Sequence, residues 1–240
     1  VVSYMSKLKL NICGAPSSYK TTVCTGLESK LKQARYNAET SKEYARHYIS
    51  TYGVPVDLHE QLTIYENQNS RDIAVAETNT IMLSDTPAMS SYVFGKRMLD
   101  AKIAREDRGK HEKPRLPNRA EYKFLEELYM KALKKTNWFN MIIVFPPTGD
   151  IVQDGVRNET VDDQMEIYRA VTGFLHLNNI RYTEVSGSTE ERIDTCFALV
   201  MTAIGGNGHG VYEIGSSQPI GWMPRHPYDG IDGEGKRTHT

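Results

Sequence analysis

The chain has 240 residues, 39% of them hydrophobic and 25% charged, with a formal net charge of −1. That length fits one large domain, or a domain with an extension, and allows a sizeable core. The balanced charge gives no support to bulk electrostatic attachment to nucleic acid or to an anionic membrane, and leaves only local basic patches for such contacts. Three cysteines (Cys13, Cys24, Cys196) without paired spacing argue against a disulfide framework and for a reducing compartment, so the cytoplasm is the expected location. No apolar run reaches the roughly 20 residues of a membrane helix, and the first nine residues lack the apolar block of a signal peptide.

In chain order, residues 8–13 (LKLNIC) read as a strand stopping at Gly14, and 20–33 as a helix. A short strand is expected at 36–40, helices at 43–50 and 57–77, and a third strand at 80–83 that stops at Ser84-Asp85. Helices follow at 90–108 and 119–135; in the second, Tyr122, Leu125, Tyr129, Ala132 and Leu133 share a face. Residues 141–145 form the cleanest buried strand, closed by Pro146-Pro147, with Trp138 expected in the core before it. A helix at 161–177, a strand at 181–185 and a helix at 190–204 complete the pattern. Strands alternating with helices predict an α/β fold whose mostly parallel sheet is covered on both faces. In such sheets ligands sit at the carboxyl ends of the strands. The charged, proline-bearing stretch 105–117 is expected to be a surface loop. From 205 to 240 the chain becomes a Gly- and Pro-containing tail, extended unless it docks; a docked tail would make an oligomer contact.

The first strand runs into Gly14-Ala15-Pro16-Ser17-Ser18-Tyr19-Lys20-Thr21-Thr22. This is a G-x5-K-T phosphate loop with tyrosine where glycine normally precedes the lysine. Its backbone N–H groups and the following helix N-terminus would face the phosphates of ATP. Lys20 would reach the β- and γ-phosphates, and the Thr21 hydroxyl would lie on Mg²⁺. The alternative is a chance match at a strand–helix turn. Asp85, at the end of the third strand, reads as a Mg²⁺-organising carboxylate or as a helix N-cap. Glu43 reads as a general base facing an acceptor hydroxyl or as a first-turn glutamate favouring the helix dipole. In Asp154-Gly155-Val156-Arg157, the arginine either neutralises transition-state charge from a loop over the phosphates or belongs to an ordinary surface turn. The seven histidines show no metal-ligand spacing, and no hydrolase or zinc signature occurs.

Taken together, these motifs resemble one family, the ribosylnicotinamide kinase domain of NadR-like proteins and its AAA-type P-loop relatives, including phage-encoded kinases. The likeness covers most of residues 8–204. It rests on the ordered series of the phosphate loop, Glu43-Tyr44-Ala45-Arg46, Gln68, Ser84-Asp85-Thr86, Asp154-Gly155-x-Arg157, Arg181-Tyr182, Ser186-Gly187 and Arg192. The resemblance implies a P-loop, nucleoside-kinase-like fold with a parallel five-stranded sheet over residues 1–204. It implies transfer of the ATP γ-phosphoryl group to a hydroxyl of a nucleoside-like small molecule. Lys20, Glu43, Asp85 and Arg157 would carry the chemistry, and Glu43, Arg46 and Gln68 would contact the acceptor. Two positions depart from the pattern. Tyr19 replaces the loop glycine, and Pro87 replaces the second aspartate of Asp-Thr-Asp. Two other readings stay open. One is a kinase for nucleoside monophosphates or for hydroxymethylated bases in DNA, with residues 110–115 (KHEKPR) as a local phosphate contact. The other is a catalytically weak ATP-binding module.

Overall fold

The computed structural model describes residues 7–106, 115–150 and 160–205. Five strands, β1 (Leu8–Gly14), β2 (Ala38–Ser41), β3 (Ile81–Ser84), β4 (Met141–Phe145) and β5 (Thr183–Glu184), form one sheet in the order β2-β3-β1-β4-β5. Every pairing is parallel. Between them run α1 (Lys20–Gln33), α2 (Tyr44–Tyr52), α3 (Leu58–Thr78), α4 (Ser90–Glu106), α5 (Arg119–Trp138) and α6 (Val161–Leu177), with α7 (Thr189–Gly205) last. The expected α/β fold with a five-stranded parallel sheet is therefore the observed one.

The period-2 alternation of the strands builds two cores. Leu10 and Ile12 of β1, Ile81 and Leu83 of β3, and Ile143 and Phe145 of β4 turn to one face. There they meet Val23, Leu27 and Leu31 of α1 and Cys196, Leu199 and Val200 of α7. Cys13, Met82, Ile142 and Val144 turn to the other face, against Val93 of α4, Ala132 of α5, and Ile167, Val171 and Phe174 of α6. Burial on both faces explains why the inner strand β4 reads as an unbroken apolar run. All three cysteines are buried and unpaired. Among the described residues no helix is long and apolar enough to cross a membrane.

Helix starts follow capping chemistry. Asp57 with Glu60, Asn118 with Glu121, and Thr160 with Asp163 each form a reciprocal capping box. Some boundaries differ from expectation. The Tyr36 N–H closes onto the Leu31 carbonyl around a left-handed Arg35, so residues 36–37 finish α1 and β2 starts later. At the sheet edge β5 has only two residues, with Thr183 and Glu184 opposite Ile143 and Val144. Helix α5 runs on to Trp138, which packs against the second core from a partly buried position. Residues 107–108 of the expected fourth helix and the tail after Gly205 lie outside the described residues.

One buried ion pair links the helices on the second face. Lys135 of α5 places Nζ 3.2 Å from Asp72 Oδ2 of α3, and both side chains are nearly solvent-free. The ammonium also lies 3.9 Å from the centre of the Trp138 ring. Burial lowers the Lys135 pKa and the Asp72 carboxylate opposes that shift. Asp72 Oδ1 in turn accepts from Gln68 Nε2 at 2.9 Å and from Ser84 Oγ at 3.4 Å. Removing one member of such a pair strands the other charge, which costs about 3–5 kcal/mol. Asp72→Asn is therefore expected to lower stability by about 3 kcal/mol in urea denaturation, with Asp72→Asn/Lys135→Met recovering most of the loss. An unchanged midpoint for the single variant would show that the pair contributes nothing net.

Candidate active site

The turn after β1 is set by space. A Cβ at Gly14 would stand 2.7 Å from the Phe145 carbonyl oxygen and 2.9 Å from Ser18 Oγ. Beyond it, Ser17 (φ 57°) and Tyr19 (φ 62°) adopt the left-handed conformation. Such alternation of hand turns successive N–H groups toward one side and forms an anion-binding concavity. Tyr19 is the N-cap of α1, with no side-chain cap bond. Lys20 folds back over the loop. Its Nζ donates to the Ala15 carbonyl at 2.6 Å and to Ser18 Oγ at 3.4 Å, and Ser18 Oγ itself donates to the Ala15 carbonyl at 2.7 Å. From behind, Gln164 Nε2 of α6 holds the Pro16 carbonyl at 3.1 Å, and Arg192 Nη1 of α7 holds the Ser18 carbonyl at 2.9 Å.

Asp85 lies beside this loop. Its Oδ2 accepts from Thr21 Oγ1 at 3.0 Å, while Oδ1 is buried and has no hydrogen-bond partner. Helix α4 begins only at Ser90, so Asp85 caps no helix, and the alternative reading of this residue falls. Asn11, buried in β1, fixes the following turn. Its Nδ2 donates to the Thr86 carbonyl at 2.6 Å, and its Oδ1 accepts from the Ala88 N–H at 2.9 Å. The Thr21 hydroxyl and the unsatisfied Asp85 oxygen fit a Mg²⁺ ion, which takes one or two carboxylates and completes its shell with water and phosphate. Among the described residues no group of three or more His, Cys, Asp and Glu side chains could hold a metal alone.

Glu43 stands at the N-cap of α2 rather than within its first turn, and its side chain makes no cap bond. Its carboxylate lies 3.9 Å from Arg46 Nε and raises the pKa of Asp85. Glu43 and Lys20 line one narrow crevice of about 20 Å³, walled by Pro87, Val93, Phe94 and Val171 among others. A larger cleft of about 580 Å³ runs along the outer face of α1 past Thr40 and Lys42, reaching Thr21 and Asp85 at one end. Gln68 is buried with both amide atoms engaged. Its Oε1 accepts from the Tyr44 N–H at 2.7 Å and Thr86 Oγ1 at 3.2 Å, and its Nε2 donates to Asp72 and Ser41. It ties the ends of β2 and β3 together.

The structure thus gathers Gly14 to Thr22, Glu43, Arg46 and Asp85 at the carboxyl edge of the sheet, with Gln68 beneath them. Arg157 and the rest of the Asp154-Gly155 turn lie outside the described residues. Of the tyrosines near the site, Tyr65 bonds the Lys131 carbonyl and Tyr92 packs edge-on to Tyr129. Tyr44 alone adjoins Gln68, with the Arg71 guanidinium 4.7 Å from its ring centre. Sequence reasoning assigned no role to Asn11 or Gln164, and Arg192 entered only as the last member of the resembling series. Asn11 had a signal, a polar residue inside an apolar strand; Gln164 is a polar position on an amphipathic helix, with nothing to single it out.

The AAA-domain family matches residues 9–192 of the chain. No curated protein sequence matches. Among solved structures, a crystal structure of NadR protein in complex with NR is similar, with a TM-score of 0.61 and 19% sequence identity. The alignment covers 87% of this chain and 54% of that one, so the chain spans about half the length of that structure. At this identity the likeness shows a shared fold.

Burial foremost, and the Glu43 charge next, push the Asp85 carboxyl up to about 6, against the Thr21 bond and the Lys20 charge. The folded ligand-free protein therefore holds this proton more tightly than the unfolded chain does. Stability should fall as pH rises from about 4 to about 6 and stay lower above that, by about 3 kcal/mol if Asp85 acts alone. Asp85→Asn is expected to abolish that fall and to unfold at higher urea than the parent at about pH 8. Equal midpoints at that pH would contradict the assignment.

Proposed function

Because the chain belongs to the AAA-domain family, we propose that it is an ATP- and Mg²⁺-dependent kinase. It moves the γ-phosphoryl group to a hydroxyl of a nucleoside-like small molecule. The observation that supports this most is the convergence of Lys20, the Thr21–Asp85 pair and Glu43 on one edge of a parallel sheet, beside a loop shaped to cradle an anion.

The chemistry of such a transfer is mostly positioning and charge. The backbone N–H groups of the loop and the α1 N-terminus bind the phosphates. Lys20 exchanges its loop carbonyl for phosphate oxygen, so its charge serves the ligand without a large side-chain search. Thr21 and Asp85 would hold Mg²⁺, which would neutralise phosphate charge when bound. Glu43 orients the acceptor hydroxyl and accepts its proton, with Arg46 beside the carboxylate. Arg157 is assigned the lid role on sequence alone. Gln68 acts on the acceptor through Tyr44 and Thr86, the groups it holds.

The NadR structure with NR suggests an acceptor of the nicotinamide riboside type. Pro87 modifies that suggestion. Where the resemblance has a carboxylate, this crevice has an apolar wall of Pro87, Val93 and Phe94. The acceptor face turned to it should therefore carry fewer hydroxyls. A crevice of about 20 Å³ holds little more than a water, so an acceptor enters it only if the lining gives way. Three unpaired buried cysteines suit a reducing cytoplasm.

The test is phosphoryl transfer from γ-labelled ATP with Mg²⁺ to a panel of nicotinamide riboside, common nucleosides, nucleoside monophosphates and hydroxymethylated DNA. Label on a nucleoside, absent with Lys20→Ala, is the expected result. Label on DNA or on a monophosphate would replace the acceptor class, and bound ATP with no transfer would replace the kinase by a nucleotide-binding module. Lys20→Ala should weaken ATP binding at least about 100-fold in calorimetry, a loss of about 2.7 kcal/mol. Glu43→Gln should lower kcat by about 10²–10⁴-fold while leaving ATP affinity within about threefold. Parallel losses in both quantities would make Glu43 a folding residue.

A further inference from the structure

Arg192 is 3% exposed on α7, yet among the described residues it forms no ion pair with a carboxylate. What its guanidinium touches is backbone and ring. Nη1 donates to the Ser18 carbonyl and Nε to the Gly187 carbonyl, both at 2.9 Å, and the group lies 4.9 Å from the Phe145 ring centre. Burying a cation without a counter-charge is costly, so its use has to be sought in what those bonds hold.

The Ser18 carbonyl shares a peptide unit with the Tyr19 N–H. That unit is trans, so its N–H points opposite to its carbonyl, away from Arg192. Its orientation also fixes φ of Tyr19, which is +62°, a value that a residue with a Cβ resists and glycine accepts freely. Tyr19 stands where a phosphate loop ordinarily has glycine. Its side chain makes no cap bond that would compensate.

We propose that Arg192 is a positioning residue for the phosphate loop. Its bond to the Ser18 carbonyl holds the Ser18–Tyr19 peptide unit in the orientation that presents the Tyr19 N–H to the ligand, and this is what allows tyrosine to replace glycine there. A hydrogen bond from a charged donor is about twice as strong as a neutral one, enough to oppose the left-handed strain. The same bond polarises the peptide unit and strengthens its N–H as a donor. Gln164, on the Pro16 carbonyl, gives neutral support on the neighbouring side. The inference rests on the reading of this loop as the ATP site, and the experiment separates the two.

ATP affinity is measured by calorimetry with Mg²⁺ on the full chain for the parent, Tyr19→Gly, Arg192→Met and the double variant. Unfolding in urea without nucleotide is followed for the same four proteins. Arg192→Met is expected to weaken ATP about tenfold or more beside Tyr19, and about threefold or less beside glycine, as for directly coupled residues. Its urea midpoint should likewise fall further in the tyrosine background. If Arg192→Met does not fold, Arg192→Lys, which keeps the charge but loses the fork, should show the same dependence on residue 19 at smaller size. Equal fold-losses in both backgrounds, for ATP and for urea, would overturn the proposal. A folded parent that binds no ATP, but shows the coupling in urea, would overturn the kinase reading and leave Arg192 in its role.

Discussion

The contact on which the rest of the site depends is the passage of Gly14 against β4. Strand β1 lies between β3 and β4, so the chain leaving it has no lateral room. With the Phe145 carbonyl 2.7 Å from where a Cβ would be, only glycine lets the backbone turn at once. That turn puts the loop directly above the strand ends and aims the α1 N-terminus back at it. Every later feature, from the folded Lys20 to the Thr21–Asp85 bond, is measured from this point.

Charge gives the arrangement its chemical character. A protein at rest gains nothing from a buried carboxylate with an unsatisfied oxygen beside a second carboxylate, and the raised pKa of Asp85 measures that cost. On the function proposed above, the arrangement becomes favourable once a cation and phosphates arrive, because the ion would satisfy the carboxylate and the phosphates would satisfy Lys20 and the loop N–H groups. Beneath it, Gln68, Asp72, Lys135, Ser84 and Thr86 form a buried polar floor. That floor fixes where the ends of β2 and β3 lie, and so how far Glu43 stands from Asp85. Gln68, expected at the acceptor, is here part of the wall that shapes the site.

The two openings divide the work unequally. The crevice holds the proposed reacting groups Lys20 and Glu43 but little volume, while of the candidate site residues the large cleft beside α1 reaches Thr21 and Asp85. Helix α2, nine residues long, packs chiefly on α3 and carries an aromatic ladder of Tyr44, Tyr48 and Tyr52.

The sequence by itself determined the fold class, the order of the elements and where the candidate site would lie. Those follow from local rules: short apolar runs in strands, apolar residues at helical spacing, and a glycine followed by lysine and threonine between a strand and a helix. It also marked Glu43 and Asp85 as strand-end carboxylates, but left each with two roles, because a cap and a ligand look alike in one dimension. Tertiary structure removed the cap reading of Asp85 by starting α4 at Ser90, and left Oδ1 without a partner. It alone showed that Gln68 is committed to Asp72, Thr86 and Tyr44, that Lys135 is buried on Asp72, and that Gln164 and Arg192 brace the loop. Those facts join residues far apart in the chain, and no periodicity or spacing records a contact between distant side chains. The physical reason is that burial and hydrogen-bond partners belong to the packed arrangement of helices on the sheet, whereas turns and caps are settled within a few neighbouring residues.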